Sequence, residues 1–151
     1  MSVLKRHRTV SKMEYVNTAN AIYLETLQFL TRLSARYARL VAADVMHLAS
    51  EVLDHSEKAN SIYPSDDVRK KLRERHLLEA RAAVLALDVH MAHVYELVML
   101  NPQGCFTTSN GKTLSSAEAS ERLDRMAQSL GEKLDEENAM LTAVLKSDKS
   151  R

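Results

Sequence analysis

Residues 64–104 read PSDDVRKKLRERHLLEARAAVLALDVHMAHVYELVMLNPQG, and this stretch decides the fold. Pro64 disfavours helical geometry in the residue before it, so a helix arriving from upstream must end by Tyr63. Ser65, Asp66 and Asp67 then offer a cap and first-turn acids, which suit the positive end of a helix dipole. From Val68 to Leu100 there is no glycine or proline, which predicts one long helix closed by Asn101-Pro102-Gln103-Gly104. After Leu77 its apolar residues occupy more than one side. Ala83, Leu87 and Val94 lie on one; Leu78, Leu85, Val89 and Ala92 lie on another. A helix apolar on several sides has neighbours on several sides, either other helices of a bundle or another subunit.

Upstream, Ser11 and Glu14 have the spacing of a capping box and Val10 can staple onto Tyr15, which predicts a first helix from about residue 12. Met13, Val16, Asn20, Tyr23, Leu27 and Leu30 recur at three and four and form its expected buried stripe. A turn is expected near Ser34, a plausible cap. A second stripe follows through Tyr37, Val41, Val45, Leu48, Val52 and Ala59. Downstream, β-branched residues flank Asn110-Gly111, the pair that best tolerates a type I′ turn, which predicts a small β-hairpin at about 104–114. Ser115 to Glu118 repeats the capping box ahead of Ala119, Leu123, Met126, Leu130, Leu134, Leu141 and Val144. The expectation is an all-α, up-down-up-down four-helix bundle with a β-hairpin insertion between helices 3 and 4. Residues 1–11 form a basic N-terminal arm, 12–147 the bundle and 148–151 a polar tail.

At 151 residues and 17.0 kDa the chain has room for one ordinary domain. Only three glycines and two prolines punctuate it, too few for the many turns of an all-β fold. Hydrophobic residues at 45% and charged ones at 27% give a globular balance rather than a disordered one. The single Cys105 allows no internal disulfide, the N-terminus shows no signal-peptide core, and no run approaches a membrane span. A cytoplasmic protein, neither secreted nor membrane-bound, is expected.

The net charge of +1 hides segregation. Residues 1–39 carry net +5, residues 40–68 net −5 and residues 69–95 net +3. Local potentials follow such clusters rather than the sum. Lys5, Arg6, Arg8 and Lys12 make the basic arm, joined by His7. Arg32, Arg36 and Arg39 surround the first turn, while Arg69, Lys70, Lys71, Arg73 and Arg75 crowd the start of the third helix. If these surfaces face one way they can contact phosphates, the source of most nucleic-acid affinity. Basic clusters are also commonly just solvated faces. With Tyr37 the lone aromatic beside them, any readout would be of backbone and shape.

Other constellations point away from chemistry. His90, His93 and Glu96 share one helix face and Glu51 lies four before His55, but the chain lacks the Glu-x-x-His pairs of a di-metal bundle. His47 and His76 read as half-buried or bundle-edge residues. Cys105 reads as a packed side chain without a neighbouring base. Asn17, Asn20 and Asn60 are polar residues in or near apolar stripes, and Asn20 is expected to fix helix register. No catalytic residue, cofactor or metal ligand is assigned, and the chain is not expected to be an enzyme.

Lys5-Arg6, Val10 to Ala19, Ala59-Asn60-Ser61-Ile62-Tyr63-Pro64, Arg75-His76-Leu77 and the closing Lys146-Ser147-Asp148-Lys149 resemble small four-helix-bundle proteins encoded beside reverse transcriptases. They are similar to the accessory variability proteins of diversity-generating retroelements, and more distantly to the ribosomal-RNA intervening-sequence proteins. The resemblance runs along nearly the whole chain apart from residues 101–115. It implies a homopentameric barrel without an active site, which binds the element's reverse transcriptase and its RNA or RNA/DNA hybrid and supports mutagenic reverse transcription. Carried onto this chain, the contacts fall on Arg32, Arg36 and Arg39, with Lys5 to Lys12 as a further candidate. The alternative is a structural homo-oligomeric adaptor that binds protein only.

Overall fold

The computed structural model describes residues 13–106, 111–112 and 114–150. Four helices run in order: α1 (Glu14–Leu30), α2 (Ala35–Ser61), α3 (Asp67–Val98) and α4 (Ser116–Lys149). Each packs on its neighbour in the chain, and α4 closes on α1. Short connections join α1 to α2 and α2 to α3, as suits antiparallel neighbours, whereas the connection from α3 to α4 is longer. Three starts are set by side chains that take up orphan backbone donors. Ser34 Oγ accepts from Tyr37 N at 3.5 Å, Asp66 Oδ1 from Arg69 N at 2.9 Å, and Ser115 Oγ from Glu118 N at 3.2 Å. A serine cap of this kind contributes about 1 kcal/mol. The Arg69 N–H, ahead of the other influences, holds the Asp66 carboxyl below its ordinary range.

Several sequence expectations need correction. No strand occurs among the described residues, so the β-hairpin at about 104–114 is overturned. Pro102–Phe106 instead forms a short 3-10 helix, which suits the fixed φ of a leading proline. Phe106 is buried beneath the Arg32 guanidinium, 4.7 Å from its ring centroid, which draws the chain onto the bundle rather than into a ribbon. Gln103 Nε2 donates to the Leu114 carbonyl at 3.2 Å, a side-chain tie in place of a strand ladder. Gly111 does adopt a positive φ of 77°; residues 107–110 and 113 lie outside the described set.

Helix α1 begins at Glu14 with Met13 in the cap position, while Val10 and Ser11 lie outside the described residues. Its buried face is Tyr15, Val16, Ala19, Ile22, Thr26, Phe29 and Leu30. The expected stripe is therefore rotated: Met13, Asn20 and Leu27 are exposed. Asn20 fixes no register between helices, because its amide donates to the Val16 carbonyl of its own helix at 3.1 Å. The stripes of α2 and α4 hold, with every residue named there buried or half-buried. Helix α4 continues to Lys149, and Asp148 is tied into the bundle by Arg73.

Alanines Ala19, Ala49, Ala59 and Ala80 are fully buried and let the helices approach closely around Tyr15, Phe29, Leu77, Leu87, Leu123 and Leu141. Glu137 is fully buried among them, and neither carboxyl oxygen has a hydrogen-bond partner among the described residues. Burial pushes this carboxyl up to about 8, so it is a neutral acid at neutral pH.

Because the folded value lies above the unfolded one, the folded protein holds the extra proton between them. Stability from this group is complete below the unfolded carboxyl value, falls as pH rises, and is lost through about pH 8. Urea denaturation from about pH 5 to about pH 8.5 should show a loss on the order of 3–5 kcal/mol, and Glu137→Gln should remove most of that slope. A pH-independent wild-type midpoint would contradict the buried acid.

Candidate nucleic-acid interface

The arginines singled out by sequence separate into two groups at opposite ends of the bundle. Arg32 follows α1, and Arg36 and Arg39 lie on the first turns of α2; all three are exposed. This end abuts the C-terminus of α3, where Arg32, Ser34 and Tyr37 line a cleft of about 140 Å³ with Asn101 and Cys105. Arg69, Lys70 and Arg73 lie on the first turns of α3. At 1.5 Å per residue, α3 separates the two groups by about 40 Å. Lys5, Arg6, Arg8 and Lys12 lie outside the described residues. One continuous basic surface joining the first turn to the start of α3 is thus absent among the described residues.

Phe106 organises the first group. Arg32 covers its ring at 4.7 Å, and Arg122 from α4 approaches it at 5.8 Å. Stacking a guanidinium on a ring uses the face of the ion and leaves its N–H edges for acceptors. Among the described residues, Arg32, Arg36 and Arg39 make no ion pair. Helix α4 adds exposed Arg122 and Arg125 beside exposed Glu118 and Glu121, so its charge is mixed and the excess of positive charge lies on the α1–α2 side. Sequence reading misses Arg122 because its importance comes from Phe106, whose residue pattern points to a strand. Beside this cluster burial pushes the Cys105 thiol up, the nearby Arg32 only partly opposing it, so the thiol is not activated.

In the second group two of the three are engaged within the fold, Arg73 and Arg69. Arg73 is buried; its Nε donates to Asp148 at 2.6 Å and its terminal nitrogen to the carbonyls of Ala59 at 3.0 Å and Ile62 at 3.3 Å. It is a clamp between α2, α3 and α4 and is not presented to a phosphate. Arg69 is exposed but paired with Asp66 at 2.6 Å and Ser65 at 3.1 Å. Lys70 is exposed beside a groove formed with Pro64, Glu74, Asp148 and Lys149. Arg32, Arg36 and Arg39 form one exposed cationic cluster, and at the other end of the bundle Lys70, Lys71 and Arg75 are exposed too and make no ion pair among the described residues.

The histidines form a different set of contacts from the one their spacing indicated. Glu51 meets His47 Nε2 at 2.9 Å, whereas His55 Nδ1 lies 2.9 Å from His76 Nδ1 across α2 and α3. His76 is held below its ordinary value by burial first, then by His55, Lys58 and Arg75, with Glu79 opposing. His90, His93 and Glu96 lie on the exposed surface of α3. Among the described residues no group of three or more His, Cys, Asp or Glu is placed to hold a metal ion. Among them, too, no helix is long and apolar enough to cross a membrane.

Comparison with known proteins finds no matching family profile, no matching curated protein and no matching solved structure.

The two kinds of arginine should separate by stability. Arg73→Ala removes the buried partner of Asp148 and a donor to the Ala59 and Ile62 carbonyls, and should cost about 3–5 kcal/mol of unfolding free energy. Arg36→Ala and Arg39→Ala, on exposed surface, should each stay within about 0.5 kcal/mol of wild type. Equal destabilisation at all three positions would undo the distinction.

Proposed function

We propose that this chain is a non-enzymatic accessory protein of a diversity-generating retroelement, acting in the cytoplasm on the element's RNA and reverse transcriptase. The observation that carries the reading is the set of exposed arginines, Arg32, Arg36 and Arg39, which make no ion pair among the described residues. Their positions are those onto which the sequence resemblance carries nucleic-acid and polymerase contacts. The mechanism is scaffolding. Guanidinium groups hold template phosphates, while the bundle supplies a stiff mount whose buried core fixes the spacing between them. Copies of the chain in a homo-oligomer, a pentamer by the resemblance, repeat a weak site so that avidity raises a modest affinity. Shape and phosphate spacing are read rather than bases, since Tyr37 is half-buried in the cleft and Phe106 is already covered by Arg32.

The test is an RNA titration at two salt concentrations with wild type and the Arg36→Ala, Arg39→Ala double variant. Affinity should fall steeply with salt, and the slope of log K against log salt should shrink by about 0.7 for each phosphate that the variant no longer neutralises. Because both positions are exposed, the variant should stay folded and its circular dichroism unchanged. Wild-type protein that binds no RNA at low salt but captures the reverse transcriptase would favour the protein-only adaptor.

A further inference from the structure

His55 on α2 and His76 on α3 meet head to head. Their Nδ1 atoms are 2.9 Å apart and their ring centroids 5.2 Å apart. The second distance is the first plus one imidazole radius at each end. Both nitrogens therefore lie on the line between the centroids, with their lone-pair axes aimed at each other. The rings are tilted by 31°. Two nitrogens in this arrangement share one proton, donated by one ring and accepted by the other. Neither ring is paired with a carboxylate among the described residues, and Glu51, four before His55, is taken by His47 at 2.9 Å. Both histidines are half-buried in the seam between the two helices, within reach of a small ion. Burial, ahead of His55, Lys58 and Arg75, holds His76 below its ordinary value, so its ring is neutral and has a lone pair to give at neutral pH.

We propose that His55 and His76 form a two-coordinate site for a soft monovalent cation with a filled d shell, copper(I), held between the two Nδ1 atoms. Collinear donors suit an ion that prefers two ligands in a line, and imidazole is a ligand that copper accepts readily. At about 2 Å for each metal–imidazole bond, the nitrogens stand about 4 Å apart in the bound form, so the rings part by about 1 Å. Protons balance without release. The ring that carried its proton on Nδ1 moves it to Nε2, and both Nδ1 lone pairs go to the metal. Ions that need more donors are not served. Zinc takes four ligands and calcium six or more oxygens, and among the described residues no group of three or more His, Cys, Asp or Glu is placed to hold a metal. Charge selects in the same direction: Lys58 and Arg75 oppose a divalent ion beside His76 more than a monovalent one, with Glu79 offsetting them in part. The site joins the later turns of α2 to the early turns of α3, away from Arg32, Arg36 and Arg39. It stands independently of any RNA binding.

Anaerobic titration of the full chain with copper(I) against a chromophoric chelator tests it. Wild type should take up one ion per chain with a dissociation constant below about 1 μM, and X-ray absorption should show two nitrogen ligands and no sulfur. His55→Gln and His76→Gln should each weaken uptake by about tenfold or more. Cys105→Ser, His90→Gln and His93→Gln should bind like wild type. Copper(I) should raise the melting temperature of wild type and not that of His76→Gln, since a ligand stabilises only the fold that binds it. Zinc(II) at the same concentrations should leave melting unchanged. Uptake that survives His76→Gln, that is lost in Cys105→Ser or that shows sulfur ligands would overturn the proposal. So would no uptake at about 100 μM, or an equal shift in melting with zinc(II). If the histidine variants lose their helical circular dichroism, the ligands read by X-ray absorption on wild type decide alone.

Discussion

The Arg73 clamp is the constraint on which the ordering of the helices depends. A guanidinium with little access to water must have its donors met, and Arg73 meets them with Asp148 on α4 and with two carbonyls at the end of α2. Those carbonyls, Ala59 and Ile62, lie where α2 ends, and the Ala59 carbonyl also accepts from Ile62 N at 3.2 Å. One side chain on α3 therefore closes α2 and fastens α4. Charge also links the clamp to the core. The Tyr15 hydroxyl is raised by burial, lowered by Arg73, and raised again by Asp148 and Glu137. Tyr15 brings α1 into the same neighbourhood, so that all four helices meet near one polar cluster.

Much of the fold was legible in the sequence because helix ends are local chemistry. Ser34, Asp66 and Ser115 announce themselves by residue type and position, and Pro64 limits α2 from outside. The stripe of α1 was not legible. Leu24 and Leu27 are as apolar as Ile22 and Phe29, and α1 has apolar residues on both faces, so periodicity alone could not say which face turned inward. The hairpin failed for a related reason. Asn110-Gly111 encodes a tendency of the backbone, whereas Phe106 is placed by burial and by Arg32 from another helix. Nothing local records that meeting.

The candidate site was legible by charge and illegible by burial. Arg73 and Arg36 look alike in sequence, each near a helix start in a basic stretch, yet one is enclosed and the other open. The difference is made by Asp148, distant in sequence and brought near by the closure of α4 on the bundle. Arg122 is the reverse case. It lacks a basic neighbourhood in sequence, and its place beside Phe106 comes from the connection that folds back after α3.

The length of α3 has an electrical consequence. Its two ends lie about 40 Å apart, several times the roughly 8 Å over which salt at cellular strength damps a charge. Altering charge beside Arg36 leaves the potential around Lys70 unchanged, and the converse holds. The rod acts as an insulator with two separately addressable terminals, so binding events at its tips communicate through rigidity or assembly rather than through their fields.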